Sequence, residues 1–207
     1  MLKILGKSAS INVRKVLWLC AEMQLPYEQE QWGSGFQSTE IAEFKRLNPN
    51  ATVPVIVDDD FVLWESNSIC RYLATHHGRE DLLPREARAR ARIEQWMDWQ
   101  VAELNASWRY AFMALVRRSP AHSDAAALEQ SIQSWNRHMG ILEDQLSTTG
   151  GYVVGGAFTL ADIVIGLSTH RWFSAPMERP NLPSVAAYYE RLSERTPFLT
   201  HGRNGLP

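Results

Sequence analysis

The sequence predicts two regions of different fold class, an α/β region up to about residue 78 and an all-helical region after it. Short β-branched or aromatic runs alternate with helically spaced apolar residues in the first region. After residue 91 no strand pattern returns, and apolar residues recur every three or four positions. A charged segment containing Pro84 separates the two, which is typical of a linker. The 207 residues therefore favour two small domains that share a core.

The α/β region is predicted to run strand, helix, strand, helix, strand, strand, helix. Its strand-like runs cover residues 2–5, 27–32, 52–57 and 61–64, and its helical patterns lie at 13–20, 40–47 and 66–73. Asp58, Asp59 and Asp60 separate the last two strands, which predicts a three-residue hairpin turn. Ser66 is expected to cap the last helix, which fades before Gly78.

The second region is predicted to be built from long packed helices. One apolar stripe comprises Ile93, Trp96, Met97, Val101, Leu104 and Trp108, and another comprises Leu128, Ile132, Trp135, Met139, Leu142 and Leu146. Four glycines between residues 150 and 156 mark a turn before a helix from about Thr159. Pro183 is expected to open a final helix that ends before Pro197.

Composition and charge exclude several function classes. The chain carries 21 basic and 23 acidic residues, a formal net charge of −2, so the excess of cations expected of a nucleic-acid binder is missing. No window approaches the roughly 18 apolar residues of a membrane span, and the first residues lack a signal-peptide pattern, so we expect a cytoplasmic protein. Cys20 and Cys70 lie in apolar helical patterns, which predicts two buried thiols, no disulfide framework and no metal site.

Polar residues at the first strand-to-helix junction could carry chemistry. Ser8 and Ser10 precede the first helix, and Asn12 follows two positions on. The N–H groups and dipole of a helix N-terminus attract anions. A hydroxyl at this place can cap the helix or donate to an anionic ligand, and the residues by themselves leave both roles open.

Two further segments favour a peptide-like ligand. Pro54 stands at the entry of a predicted strand, where a cis Val53-Pro54 bond would leave the Val53 backbone free to pair with an extended ligand. Glu65 and Ser66 stand where the last strand meets its helix. A carboxylate beside a helix N-terminus can pair with an ammonium group while the hydroxyl and N–H groups hold a carboxylate, together a receptor for an α-amino acid group.

With these motifs, the chain resembles the glutathione S-transferases over essentially its whole length. SINVRKV resembles the serine signature of the phi, theta and delta-like classes, which implies a bacterial, serine-type member with Ser10 at the catalytic position. Ser8 and Asn12 stay open as alternatives, because Asn12 resembles the asparagine that disulfide-reducing bacterial relatives place near the sulfur. No cysteine lies between residues 8 and 15, which argues against thiol exchange through an enzyme cysteine.

Three other motifs carry the same resemblance. NPNATVPVI resembles NPxGxVPxL, which implies glutathione contacts at Thr52 and Val53 and a cis bond before Pro54. WESNSICRYL resembles ESxAIxxYL, which places the γ-glutamyl group at Glu65 and Ser66. GGAFTLADI resembles GxxxTxADI, a structural capping box whose members here are Thr159 and Asp162.

The resemblance also implies an architecture and an activity. It implies a thioredoxin-like glutathione-binding domain (residues 1–78), a linker (79–87) and an all-α domain (88–207). We expect glutathione as co-substrate, attack of its thiolate on a small hydrophobic electrophile in detoxification, and a homodimer. Trp108, Tyr110 and Phe112 are candidates for the acceptor pocket, although core packing explains each of them as well. A glutathione-dependent disulfide reductase and a non-catalytic glutathione-binding protein remain the alternatives.

Overall fold

The computed structural model describes residues 1–207 and has the two regions that the sequence predicts. The strands are β1 (Lys3–Leu5), β2 (Glu28–Glu30), β3 (Val55–Asp58) and β4 (Phe61–Trp64). The helices of the first region are α1 (Ile11–Met23), α2 (Ala42–Leu47) and α3 (Ser66–His76). Those of the second are α4 (Ala87–Trp99), α5 (Asn105–Leu115), α6 (Ala125–Thr149), α7 (Leu160–Ser174), α8 (Pro183–Ser193) and α9 (Thr196–His201).

The four strands form one mixed sheet in the order β2-β1-β3-β4. β1 runs parallel to β2 and antiparallel to β3, and β3 pairs with β4 as a hairpin. β3 begins at Val55, later than predicted, because Pro54 has no N–H to donate to the ladder. The hairpin turn has two residues, not three, because Asp58 pairs with Phe61 and Asp59 adopts a left-handed φ of 53°, which aspartate tolerates.

Helix α1 joins the two regions into one core. Nine of its 13 residues are buried, because one side packs on α3 and the other on α7 and α9. Trp18 on α1 is fully buried, with its ring 4.8 Å from that of Phe198 on α9. A Cβ on Gly166 of α7 would lie 3.0 Å from Trp18 and 2.7 Å from Leu192, so glycine permits this close approach.

In the helical region, α4 continues into α5 through a π-helical segment, Gln100–Leu104. Its hydrogen bond from the Asn105 N–H to the Gln100 oxygen spans five residues instead of four. This wider turn takes Val101 out of the apolar stripe predicted for it, and its side chain is 47% exposed. Pro197 was predicted to lie beyond the last helix, but it stands in the first turn of α9, where a missing N–H costs nothing.

Two predictions about buried and membrane-crossing segments can be compared with the structure. None of the helices has both the length and the apolar composition that a bilayer crossing requires. Cys20 and Cys70 are free and buried, as predicted. Burial raises the pKa of each thiol to about 12. They therefore act as small core residues rather than as reactive groups.

Candidate functional site

A cleft of about 430 Å³ lies between the two regions. From the first region it is lined by Lys7, Ser10, Ile11, Asn12 and Val53. From the second it is lined by α5 and the residues after it, together with one residue of α7: Asn105, Trp108, Arg109, Phe112, Met113, Arg117 and Arg171. Several residues singled out from the sequence thus meet at one place, polar on one wall and aromatic on the other.

Ser10 lies at the N-cap of α1 with an extended backbone, and its hydroxyl does not cap the helix. The loop before it is held close to the sheet, because Gly6 and Lys7 donate backbone hydrogen bonds to Glu30 and Trp32. A Cβ on Gly6, whose φ is +152°, would lie 3.0 Å from the Val53 Cβ. Because Gly6 has no side chain, the loop before Ser10 can approach Val53 closely at the edge of the cleft.

The three polar side chains near this junction differ in their hydrogen bonds. Ser8 is exposed and is bonded to Gln29, whose Nε2 donates to the Ser8 Oγ over 3.0 Å. Ser8 does not line the cleft. The hydroxyl of Ser10 and the amide of Asn12 line it, and neither makes a hydrogen bond within the protein. The geometry therefore favours Ser10 and Asn12 over Ser8 as groups available to a ligand.

The segment before β3 presents free backbone to the cleft. The Val53-Pro54 peptide bond is cis, and neither the N–H nor the C=O of Val53 is hydrogen-bonded to another residue. Buried Asn48 fixes this segment by donating from Nδ2 to the carbonyl oxygen of Thr52 over 2.8 Å and to its Oγ1 over 3.2 Å. The Thr52 side chain is thus bonded to Asn48 and does not line the cleft.

At the start of α3 the structure corrects the prediction that Ser66 is the N-cap. Glu65 is the N-cap, with φ 71°, and Ser66 is the first residue of the helix. The left-handed backbone at Glu65 turns the chain one residue earlier than the sequence pattern indicates, so the Ser66 hydroxyl has no capping role. The Glu65 side chain is exposed and has no partner, while Ser66 is 5% exposed.

A buried lysine lies behind the N-terminus of α3, and the sequence analysis missed it. Lys15 on α1 is 1% exposed, and its Nζ donates to the Asn67 Oδ1 and to the Gln100 Oε1, each over 3.0 Å. It also lies 3.5 Å from the Ser66 Oγ. Burial lowers its pKa to about 8.

The network continues from this lysine to the cleft. The Gln100 Nε2 donates to the Asn105 Oδ1 over 2.8 Å and to the Ser168 Oγ over 3.0 Å. Asn105 is a cleft residue. One signal could have identified Lys15 from the sequence: α1 is apolar on nearly every side, so a charge inside INVRKVLWLC has no solvent face to occupy.

The three aromatic candidates of α5 do not share one face. Trp108 and Phe112 are four residues apart and line the cleft with ring centroids 5.5 Å apart. Tyr110 was expected there as well, but it lies outside the cleft. A residue two positions along a helix from Trp108 points away from it, and Tyr110 is such a residue. The Tyr110 hydroxyl accepts a hydrogen bond from the Asp124 N–H, and its ring packs on His122.

The predicted capping box is present at the start of α7. Thr159 is the N-cap, and Asp162 is fully buried. The Asp162 carboxylate accepts from the Thr159 N–H (2.8 Å), the Thr159 hydroxyl (3.1 Å) and the Val153 N–H (2.9 Å). Burial raises the pKa of this carboxyl group to about 6, although the hydrogen bonds oppose that shift. The pair lies in the core of the helical region and outside the cleft.

Comparisons with known proteins agree with this architecture. The family model described as the glutathione S-transferase N-terminal domain matches residues 9–76, and the model of the C-terminal domain matches residues 125–191. Glutathione S-transferase GstB of Escherichia coli K12 is 35% identical over 197 residues, which is 94% of this chain and 94% of that protein. Glutathione S-transferase 3 of Zea mays is 32% identical over 206 residues, 95% of this chain and 91% of that protein.

Solved structures extend the match to three dimensions. The theta class glutathione S-transferase of the citrus canker pathogen Xanthomonas axonopodis pv. citri, crystallised with glutathione bound, superposes with a TM-score of 0.93 at 33% identity. The superposition covers 100% of this chain and 99% of that chain. The identities above 30% over nearly full length, together with the two family models, are decisive: the chain belongs to the glutathione S-transferase family.

Proposed function

We propose that this transferase binds glutathione at the first region, with the thiol at Ser10 and Asn12, and directs the thiolate at a small electrophile in the cleft. The observation that carries the proposal is the Ser10 hydroxyl, which stands unpartnered at the N-terminus of α1 and lines the cleft between the two regions. The hydroxyl donates to the sulfur, and the helix dipole adds to the stabilisation of its negative charge.

The energy required is modest. A free thiol has a pKa near 8.5, and a shift of about two units corresponds to roughly 2.7 kcal/mol of preferential thiolate stabilisation. A hydrogen bond to a charged group contributes about 1.5–3 kcal/mol, and a helix N-terminus about 0.3–1 kcal/mol. Ser10 and the α1 dipole together supply this amount, and Asn12 is a second donor on the same wall.

The rest of glutathione is proposed to lie along the residues that the motifs mark. The free N–H and C=O of Val53 pair with the backbone of the tripeptide, and Pro54 shapes that segment. The γ-glutamyl group lies at the N-terminus of α3, where Glu65 pairs with its ammonium and Ser66 with its carboxylate. Thr52 takes part through its position beside Val53, since its side chain is bonded to Asn48.

Activity measurements on matched serine and asparagine variants test the role of Ser10. At about pH 6.5, two units below the pKa of a free thiol, we expect Ser10→Ala to reduce glutathione conjugation of 1-chloro-2,4-dinitrobenzene by roughly fivefold and to raise the pKa of bound glutathione by about one unit. Ser8→Ala is the matched control, because the Ser8 hydroxyl is bonded to Gln29. Unchanged activity in Ser10→Ala would transfer the role to Asn12.

Disulfide reduction is the second candidate function. The observation that favours it is Asn12, whose amide lines the cleft without a partner. In this reaction the glutathione thiolate attacks a disulfide sulfur, and the other sulfur leaves as a thiolate. Turnover of bis(2-hydroxyethyl) disulfide that exceeds conjugation, and that is lost in Asn12→Ala, would establish it. Glutathione binding without either activity would indicate a non-catalytic binding protein.

Our proposal includes a detoxifying homodimer in the cytoplasm, with domains at residues 1–78 and 88–207. Phe61 and Val101 are 43% and 47% exposed, and the Phe61 ring packs on Tyr72 at 4.9 Å. In a two-fold dimer the surface around Phe61 would meet the end of α4 in a second copy, beside which Val101 lies. The two unpaired thiols fit a reducing compartment. Sedimentation that gives only a species near 23.6 kDa at micromolar concentration would exclude the dimer.

A further inference from the structure

The cleft is lined by four cations and by no acidic residue. Lys7 comes from the first region, while Arg109, Arg117 and Arg171 come from the helical region. The chain has more acidic than basic residues, so this concentration of positive charge is a property of the cleft and not of the protein as a whole. A neutral apolar electrophile gains little from it.

The three arginines form no salt bridge, unlike several other arginines of the chain. Arg79, Arg195 and Arg203 each form a salt bridge with a carboxylate at 2.6–2.9 Å. Arg109, Arg117 and Arg171 form none. The side chains of Arg109 and Arg117 are exposed and make no hydrogen bond. Their charges are available to a ligand.

Arg171 adds a second, independent observation. It is 3% exposed, and its Nε has no hydrogen-bond partner. Its guanidinium lies over the Phe112 ring at 3.9 Å and over the Trp108 ring at 4.6 Å, and its one polar contact is to the main-chain oxygen of Pro207 at 3.4 Å. No Asp or Glu side chain pairs with this buried guanidinium, and an anion in the cleft would lower the cost of burying its charge. Burial and the nearby charges of Arg14 and Arg117 lower its pKa to about 9.

The contacts proposed above for glutathione do not use the three arginines. The γ-glutamyl group of glutathione is assigned to Glu65 and Ser66, which do not line the cleft. Lys7 belongs to the first region, and its Nζ already donates to the Ser34 carbonyl oxygen over 3.0 Å. The three arginines belong to the opposite wall, with Trp108 and Phe112, where the second substrate is expected.

We propose that the electrophile of this cleft carries a carboxylate, held by Arg109, Arg117 and Arg171, beside an aromatic or other flat body that packs on Trp108 and Phe112. This inference rests on the proposed transferase function. The guanidinium groups provide planar pairs of donors that match a carboxylate. The aromatic wall packs on the body of the substrate, and the carboxylate pairs with guanidinium groups that have no Asp or Glu partner.

A benzylic chloride makes the reaction explicit. The glutathione sulfur forms a bond to the benzylic carbon, the carbon–chlorine bond breaks, and chloride leaves with the electron pair. The thiol proton has already passed to water. The carboxylate takes no part in bond making, so it can be exchanged for a neutral group of the same shape without altering the chemistry.

The test compares kcat/KM for 4-(chloromethyl)benzoate with that for 4-(chloromethyl)benzamide, each corrected for its uncatalysed rate. We expect a preference for the carboxylate of on the order of tenfold in the native enzyme, the value of one hydrogen bond to a charged group. Arg117→Gln and Arg109→Gln should each lower that ratio several-fold. Arg137→Gln is the matched control, because Arg137 is exposed on α6, forms no salt bridge and lies outside the cleft.

The outcomes separate this inference from the function on which it rests. A ratio near one in the native enzyme, or the same ratio in both cleft variants, would overturn it. So would a rise in the KM for glutathione that matches the fall in the ratio, because the arginines would then hold the tripeptide. The preference should also shrink at roughly 1 M salt, where the screening length is about 3 Å.

A binding measurement covers the case in which neither chloride is turned over. That result would count against the transferase function alone. Calorimetry with the unreactive 4-methylbenzoate and 4-methylbenzamide then decides the inference. Tighter binding of the carboxylate that is lost in Arg117→Gln supports an anion site, and equal binding of the two overturns it.

Discussion

The N-termini of α1 and α3 differ from the N-terminus of α7 in what their N-cap side chains do. At α7, Thr159 and Asp162 bind each other and the neighbouring backbone in a closed set of hydrogen bonds. At α1 and α3, the N-cap side chains of Ser10 and Glu65 make no hydrogen bond. A satisfied cap serves stability, while an unsatisfied polar cap is available to a ligand.

The largest effect on stability is expected at the capping box of Thr159 and Asp162. Asp162→Ala removes the acceptor for two backbone N–H groups in the core, and each buried unpaired donor costs about 1–3 kcal/mol. Relief from burying a carboxylate whose pKa is raised to about 6 offsets part of this. We expect a net loss of about 3 kcal/mol, which lowers Tm by roughly 6–12 °C in a chain of this size.

The measurements are thermal unfolding and steady-state kinetics on the folded fraction. Asp144→Ala, an exposed change on α6, is the control and should leave Tm within about 1 °C, as surface substitutions usually do. Normal kinetics in the folded Asp162→Ala molecules would support a structural role. Lost activity at an unchanged Tm would break the distinction between the two kinds of cap.

The unpaired N-cap of α3 is tested by Glu65→Gln, which removes the charge of the side chain and keeps its size. If Glu65 holds the ammonium of the γ-glutamyl group, glutathione binding should weaken by about 2 kcal/mol, roughly thirtyfold. Stability should stay nearly constant, because the side chain has no partner to lose. Calorimetry checks the affinity, and Asp60→Ala in the exposed hairpin turn controls for charge. Native affinity in Glu65→Gln would remove it from the site.

The smallest expected effect is a change of stability with pH, and it concerns Lys15, which lies behind the N-terminus of α3. Its pKa is about 8 in the folded protein against an ordinary value of 10.5. Below pH 8 both states hold the proton, and the folded state bears the cost of a buried charge. Between pH 8 and 10.5 only the unfolded state holds it, so the stability contributed by this group rises by about 1.4 kcal/mol per pH unit.

Denaturant unfolding of the native chain and of Lys15→Met should show this difference. From about pH 8 to pH 9, we expect the free energy of unfolding of the native chain to rise relative to the variant by about 1 kcal/mol. Above pH 9, Cys20 and Cys70 lower the free energy of unfolding, because the pKa values of their thiols are raised in the folded state. They are present in both proteins and largely cancel. Parallel pH curves would show that Lys15 is solvated.

Local features of the fold and site were predictable, and those set by distant packing were not. Ser10 at the start of α1 and the pair Thr159 and Asp162 follow from residue types at short spacing, and the structure has them in those places. Ser66 was misplaced by one position, because the positive φ of Glu65 is not visible in a side-chain pattern. Arg117 and Arg171 lie far apart in the chain, and only the folded structure brings them to the same cleft.

Tyr110 and Val101 show a second kind of limit. Tyr110 was grouped with its neighbours by sequence proximity, although helical geometry alone turns it away from Trp108. Val101 was assigned to the core by an unbroken helical period, and the period is interrupted at Gln100–Leu104. A change of hydrogen-bond span inside a continuous helix leaves no mark in residue types.

The π-helical segment determines which face of α5 lines the cleft. It fixes how α5 is rotated about its axis relative to α4. The turn between Gln100 and Asn105 holds one residue more than an α-helical turn. A regular α-helix through the same residues would rotate α5 by about 100° relative to α4, because each residue of an α-helix turns it by about 100°. Such a rotation would move the whole wall formed by α5 away from Ser10, while the wall formed by the first region would stay as it is. The positions of Trp108 and Phe112 in the cleft therefore depend on this one wide turn, and not on any residue of the wall that carries Ser10.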